Sequence, residues 1–520
     1  MKKLFSKINK FLKFVFSRKA VIVLMILIQL VVLVSSFFWL AEVYRVVYWI
    51  FTILGLVLVI YLLNTDENPA YKIAWIIPLL LVPVLTAMLF LFFKAQIASQ
   101  LFSKKHQKKI DDTKPLIKAP ESLMEEIHEN EPDLYKISNY MYDFGHYSVY
   151  NNTKVTYFSI GEEKFEALKN ELKKAEKFIF LEYFIIGEGK MWGEILEILK
   201  EKAAQGVDVR LLYDGFGSQM ILPDHYDRTI RKYGIKCKIF NKFRPFLSTT
   251  QNNRDHRKIV VIDGVTAFNG GINLADEYIN EKERFGHWKD TAVMLKGEAV
   301  WSFTIMFLQM WELDEKTDTD YKALSPIANK KPDMTFESDG YVMPYGDSPI
   351  DKENVGELVY LDIINNARDY VYITTPYLIM DNELITALGY AAKSGVDVRI
   401  ITPGIPDKWY VYVIGQSYYS DLLKMGVKIY EYAPGFMHAK NFVSDDTTAV
   451  VGTINLDYRS LYLHFECATY LYKTACIKNI KEDFLQTLTK CKKIDMNYCK
   501  KRPFVNKVMG GFLKLFAPLL

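Results

Sequence analysis

Two stretches of the sequence carry one arrangement of chemically capable residues. His256-Arg-Lys258 is followed by Asp263-Gly264 and then by Asn269-Gly-Gly271-Ile-Asn273. His438-Ala-Lys440 is followed by Asp445-Asp446 and then by Gly452-Thr453-Ile-Asn455. Both read H-x-K-x4-D-x6-G-(G/T)-x-N. Residues i and i+2 of a strand project to one face, so each histidine stands beside its lysine. Asp263-Gly264 between apolar runs signals a hairpin, which folds the chain back and returns Asn273 toward the histidine. The small pairs Gly270-Gly271 and Gly452-Thr453 let backbone approach a ligand closely. Each motif can thus present a nucleophile or acid, a cation and an amide to one anionic group. A single His-Lys pair would be an ordinary solvated strand face; one 18-residue pattern occurring twice is not.

The elements that position these motifs are also repeated. Apolar strands alternate with amphipathic helices beyond residue 130, an α/β signature. Gly206-Val-Asp-Val-Arg210 recurs as Gly395-Val-Asp-Val-Arg399, each after a helix and before an apolar strand. Ala175 to Phe184 resembles Ala367 to Pro376, and Tyr233-Gly-Ile-Lys236 resembles Met425-Gly-Val-Lys428. One order of elements at nearly one offset means two similar halves. The expected organisation is a membrane region at 1–95, a basic linker and lead-in at 96–145, halves at 146–332 and 333–498, and a basic amphipathic tail at 499–520. Glu182 and Thr374, at strand ends, read as structural, and His106, His128, His146 and His225 as surface or satisfied residues.

Charge is partitioned. The net +4 of the 520 residues combines +7 in 1–19, −1 in 20–93, +5 in 94–118 and +5 in 500–520 with −12 in 119–499. Three apolar runs, 20–41, 46–63 and 73–93, each approach the length that crosses a bilayer core. The first is too long for a signal-peptide core and reads as an uncleaved anchor. The basic N-terminus belongs in the cytoplasm by the positive-inside rule. Three crossings would then place the equally basic 94–118 segment outside, whereas two crossings with one interfacial run leave the body inside. The tail from Lys501 alternates cations with large apolar residues, as an interfacial helix does. Five cysteines without a C-x-x-C pair point to neither a disulfide scaffold nor a zinc site, and no metal or other cofactor is expected.

The doubled H-x-K-x4-D motif resembles that of the phospholipase D superfamily. Asn68-Pro-Ala-Tyr, Gly271-Ile-Asn-Leu-Ala-Asp-Glu-Tyr278, Trp288-Lys-Asp290-Thr, Thr375-Pro-Tyr377, Asn455-Leu-Asp-Tyr-Arg-Ser460 and the terminal Ala517-Pro-Leu-Leu520 resemble its bacterial cardiolipin synthase branch. The resemblance implies two similar sandwich halves, each a mixed sheet flanked by helices, related by a pseudo-twofold axis and preceded by membrane helices. It implies that His256 and His438 meet at one site, His256 as the nucleophile that becomes phosphohistidine and His438 as acid and base. Lys258 and Lys440, with Asn273 and Asn455, would bind the phosphate. Asp263 and Asp445 complete the catalytic motifs and, lying in the turns, would hold the site together. Glu466 would support the opposite histidine. The implied reaction moves a phosphatidyl group between two phosphatidylglycerol molecules, giving cardiolipin and glycerol, in a multi-pass protein of the cell membrane. Membrane lipid is the expected partner and nucleic acid is not. A hydrolytic phospholipase D, a transferase with another alcohol acceptor, a nuclease and a catalytically dead membrane scaffold are the competing readings.

Overall fold

The computed structural model of the protein describes residues 45–519 apart from 95–96, 219–220, 243–251, 314–318, 332–335, 337–338 and 352, together with 27, 31, 34 and 35. They fall into two compact units: 1–102 with 241–253 and 518–520, and 103–240 with 254–517.

In the first unit the 46–63 run forms helix α1 (Arg45–Leu63), whereas the 73–93 run is broken into α2 (Pro69–Leu81) and α3 (Pro83–Lys94). The break is chemical. Pro83 lacks an N–H, and its ring forces Val82 out of the helical region, to φ −137° and ψ 66°. The Val82 N–H and the Thr86 hydroxyl both donate to the Pro78 carbonyl, at 2.8 and 3.1 Å, so it is satisfied across the break. Leu58, Leu62, Leu79, Ala87 and Phe90 form the buried seam between these helices. Among the described residues no helix is long and apolar enough to cross a membrane. The expected 20–41 span lies almost wholly outside them.

The second unit holds two sheets with a single topology. The first contains β1 (Thr153–Phe158), β2 (Phe178–Tyr183), β3 (Asp208–Asp214), β4 (Lys236–Phe240), β5 (Lys258–Ile262), β6 (Thr266–Gly270) and β7 (Ala292–Gly297), in the order β1-β7-β6-β5-β2-β3-β4. The second contains β8 (Tyr341–Asp347), β9 (Tyr370–Thr374), β10 (Asp397–Pro403), β11 (Lys428–Tyr432), β12 (Asn441–Ser444), β13 (Thr448–Gly452), β14 (His464–Tyr472) and β15 (Cys491–Lys493). Its order is β8-β14-β13-β12-β9-β10-β11-β15. Only β15 is extra. In both sheets the two strand pairs after the helix-crossover elements are parallel and the preceding four are antiparallel. The sequence repeat is therefore a repeat of fold.

Helix α4 (Val300–Trp311) is buried at every residue, as an all-round apolar helix must be. It packs on β2, β5, β6 and β7 of the first sheet and on β8 of the second, with Phe307 stacked on Phe180 at 4.7 Å. The basic lead-in is built into this unit: the Gln309 amide donates to the Thr113 hydroxyl at 2.8 Å, and the buried ring of His106 meets Phe465 edge-on at 5.3 Å. Helices α5 (Trp409–Met425) and α6 (Phe504–Leu515) close the C-terminal side.

Candidate active site

Each motif enters its sheet through the hairpin that the sequence predicts. Asp263 and Gly264 adopt φ of 50° and 68°, and Asp445 and Asp446 adopt 53° and 57°. The Asp263 carboxylate accepts the backbone N–H groups of Glu176, Lys177 and Phe178 at 2.8 to 2.9 Å. Asp445 accepts those of Arg368, Asp369 and Tyr370 at 2.7 to 3.0 Å. Both aspartates thus tie the hairpin to the start of the neighbouring strand, at the far end of β5 or β12 from the histidine. Asp263→Ala and Asp445→Ala should each cost about 1–3 kcal/mol of stability, from the loss of hydrogen bonds to a charged acceptor. Turnover per folded molecule should stay within a few-fold, as thermal melts and active-fraction assays would check.

The histidines are fixed by the opposite half. The short strand Arg254–Asp255 pairs with the start of β14, and the His256 N–H donates to the Phe465 carbonyl at 2.9 Å. Reciprocally, Gly435–Met437 pairs with His287–Lys289, and the His438 N–H donates to the Lys289 carbonyl at 2.7 Å. The side chains follow the same rule. His256 Nδ1 lies 2.9 Å from both Glu466 oxygens, and His438 Nδ1 lies 2.5 Å from Asp290 Oδ2. A carboxylate on Nδ1 holds the proton there and leaves Nε2 with the free lone pair.

Sequence reading anticipated Glu466 but quoted Asp290 only within a longer signature. The register shows how it could have been found: Ala292 pairs with Gly270 as Ala468 pairs with Gly452. Asp290 and Glu466 each stand two residues before these alanines, so extending the repeat past the histidine motif aligns them.

Lys258 Nζ donates to the His256 carbonyl at 2.5 Å. Lys440 donates to the His438 carbonyl and stands 2.9 Å from His438 Nδ1. The Nδ1 proton goes to Asp290, the shorter contact and the one of opposite charge, so the Lys440 ammonium serves the carbonyl. The Asn273 amide nitrogen donates to the Tyr278 hydroxyl at 2.7 Å, and that of Asn455 to the Ser460 hydroxyl at 2.9 Å. Tyr278 meets the His438 ring edge-on at 5.5 Å, beside Trp288 at 5.2 Å. Phe184 meets His256 in the same way at 4.9 Å. His464 lies 5.7 Å from His256, ring to ring, with Nδ1 3.8 Å from Glu466, too far for a hydrogen bond.

Buried Arg257 joins this framework from below. Its Nε donates to the Glu466 carbonyl at 3.2 Å, and its guanidinium lies 3.8 Å from Glu182. Burial, followed by the charge of Asp255, pushes the Glu182 carboxyl well up.

Burial and neighbouring cations govern titration. Burial first, then Lys258, Lys440 and His438, holds the His256 pKa well below 6.5. Burial and Lys440 bring His438 to about 4 against the opposing pull of Asp290. Desolvation also lowers Lys258 to about 8 and Lys440 to about 7. Both lysines act on both histidines, which makes the four groups one electrostatic site. Two consequences follow for pH. Lys440 binds its proton less readily folded than unfolded, so stability is fully present above pH 10.5 and is lost as pH falls through about 7. An anionic ligand needs the charged lysines, so kcat/KM should fall as pH rises through about 7 to 8. A profile flat to pH 9 would remove the lysines from ligand binding.

The comparisons with known proteins agree with this geometry. The family described as cardiolipin synthase, PLD-like domain, matches residues 168–311 and 360–488, one histidine motif in each segment. An uncharacterised protein of Streptococcus mutans is 50% identical over 462 residues, 89% of this chain and 99% of that one. The cardiolipin synthase of Geobacillus kaustophilus is 36% identical over 459 residues, 88% and 90% of the two chains. That of Alkalihalophilus pseudofirmus is 34% identical over 481 residues, 91% and 93%. Among solved structures, phosphatidylserine synthase of Haemophilus influenzae superposes with a TM-score of 0.54 at 15% identity, over 70% of this chain and 93% of that one; this is a likeness of fold. Two histidine motifs, one repeated sheet topology and relatives matched over nearly their whole length lead to one conclusion: the chain belongs to the cardiolipin synthase family of phospholipase D-type phosphatidyltransferases.

Proposed function

We propose that the chain transfers a phosphatidyl group from one phosphatidylglycerol to another, releasing glycerol and forming cardiolipin. The observation that carries this reading is the pair of buried histidines, each held at Nδ1 by a carboxylate of the other half, beside two buried lysines. His256 Nε2 attacks phosphorus, the bond from phosphorus to the glycerol headgroup oxygen breaks, and His438 gives that oxygen its proton. The second phosphatidylglycerol then gives its glycerol hydroxyl proton to His438 as that oxygen attacks, and the His256–phosphorus bond breaks. His256 is taken as the nucleophile by its place in the N-terminal motif, and burial with the neighbouring lysines favours the neutral ring that attack requires.

His438 must be charged in the first step although it is neutral in the empty site. The phosphodiester supplies the difference: its negative charge offsets Lys258 and Lys440, which lets His438 hold a proton when substrate is present. The lysines also neutralise the charge that develops on the phosphoryl oxygens. Because the Tyr278 and Ser460 hydroxyls accept from Asn273 and Asn455, their own protons are free to point at phosphate. Each asparagine amide also keeps a second N–H with which to bind phosphate directly.

Transfer instead of hydrolysis needs a site at lipid level with little water. The first unit supports a membrane setting, and we read residues 1–95 as its multi-pass anchor in the cell membrane. Ile53, Leu56, Val57, Ile60, Leu80, Leu81 and Phe92 are all large, apolar and exposed, which is the surface lipid would cover. The test is to incubate the detergent-solubilised full chain with labelled phosphatidylglycerol and weigh the products. Cardiolipin and glycerol are expected; phosphatidic acid alone would replace transfer with hydrolysis, and mixed products from an added alcohol would identify a different acceptor.

A further inference from the structure

Helix α6 turns its most apolar side away from the protein. At 100° per residue Phe504, Val505, Val508, Met509 and Phe512 fall within an arc of about 140°, and all five are exposed, Phe504 by 78% and Phe512 by 60%. The opposite side is carried by Gly510, where a Cβ would stand 3.1 Å from the Val413 carbonyl. So α6 lies on α5 through its narrowest residue. Arg502 anchors its start, donating to the Gln416 and Val413 carbonyls at 2.7 and 3.3 Å, and Lys514 closes its end over the Tyr418 ring at 3.9 Å. An amphipathic helix made only for packing presents its apolar stripe to the core. This one is fastened with the stripe outward.

The surrounding charge is single-signed. Residues 500–520 contain five cations and no acid, and Lys500, Lys501 and Lys507 are exposed. A second copy pairing stripe to stripe would bring these cations together with no acid of the tail between them, whereas an anionic lipid surface complements both cations and stripe. The helix beneath also leads to the chemistry. At the start of α5, Lys408 stands 5.5 Å from the Tyr377 ring, its charge is felt at His256, and Trp409 is 64% exposed.

We propose that α6 is a membrane-docking helix, its apolar stripe entering the acyl boundary while Lys500, Lys501 and Lys507 meet lipid phosphates, which brings the start of α5 and the site beside it down to the membrane plane. The proposal rests on the lipid reading of the site and adds the surface through which the body meets its substrate's bilayer.

The full chain, reconstituted in nanodiscs of phosphatidylcholine with or without phosphatidylglycerol, would carry a nitroxide at Val508→Cys, with the unsubstituted chain as the labelling control. Oxygen should quench the label more than an aqueous nickel chelate does when phosphatidylglycerol is present. Greater access to nickel in both membranes would overturn the proposal. So would protection that persists in detergent together with a dimeric mass, since a second copy would then cover the stripe. Phe504→Ser/Val508→Ser/Phe512→Ser should slow transfer on membrane substrate about tenfold and leave the rate on detergent-dispersed phosphatidylglycerol unchanged. Equal rates in both settings, or equal losses, would also overturn it. Failure of the unsubstituted chain to transfer at all would instead strike the reaction, and the nitroxide measurement would still decide the docking.

Discussion

His256→Ala and His438→Ala are each expected to lower phosphatidyl transfer by at least about 10⁴-fold, in chains that still melt cooperatively. The two losses should differ in kind. With His256 removed no covalent intermediate can form, so acid-quenched protein should carry no phosphatidyl label. With His438 removed the nucleophile is intact but the leaving alkoxide has no proton. A donor with a nitrophenol leaving group needs little help from an acid, so His438→Ala should still release about one equivalent of nitrophenol and then stall. The environments make folding a fair expectation. His438 is packed among Tyr278, Trp288 and Phe436, and His256 against Phe184 and His464, with most of that packing supplied by the other rings. Label trapped on His438 in the unsubstituted chain would exchange the two roles. A double variant that still turns over would remove both from the mechanism.

Asp290→Asn and Glu466→Gln should lower kcat by about 10² to 10⁴, the largest effects expected outside the histidine motifs. Each carboxylate fixes a ring's tautomer and orientation and steadies the positive charge that the ring acquires. Asp290 raises the His438 pKa against burial and Lys440, so Asp290→Asn should depress it further. His438 must be protonated in the substrate complex, and the alkaline limb of kcat should therefore move to lower pH. Glu466→Gln should chiefly slow formation of the phosphohistidine, because Gln keeps an acceptor for Nδ1–H but not the charge. The Thr453 hydroxyl already donates to Glu466, so Thr453→Val tests the same support from outside, with a smaller loss. Unchanged kcat and an unmoved alkaline limb would leave these acids as scaffolding.

The histidine motifs were legible because their meaning lies within eighteen residues of chain, where strand periodicity and a turn suffice. The repeat was legible because Gly-Val-Asp-Val-Arg survived in both halves. Asp290 was not, because its function depends on strand pairing between halves and sequence carries no direct mark of that. Asn273 and Asn455 were read as phosphate ligands; the hydroxyls to which each donates one amide N–H, Tyr278 and Ser460, lie five residues further on, beyond the motif as it was delimited. The apolar run at 73–93 looked continuous by hydropathy, which does not register that Pro83 ends one helix and begins another. His106 looked unremarkable in a lysine-rich segment, and only tertiary packing places its ring against Phe465.

The reciprocal short strands have a bearing on how the protein becomes active. Arg254–Asp255 is ordered by β14, and Gly435–Met437 by His287–Lys289, so each half completes the backbone from which the other half's histidine hangs. A nascent chain with only its first half made has His256 but neither Phe465 to seat it nor Glu466 to hold its Nδ1 proton. The nucleophile and its protonating partner are therefore assembled in one event, at the closure of the two halves. A partly folded or clipped molecule holds no half-competent site that could open a phospholipid and lose it to water. Competence is conferred last, and all at once.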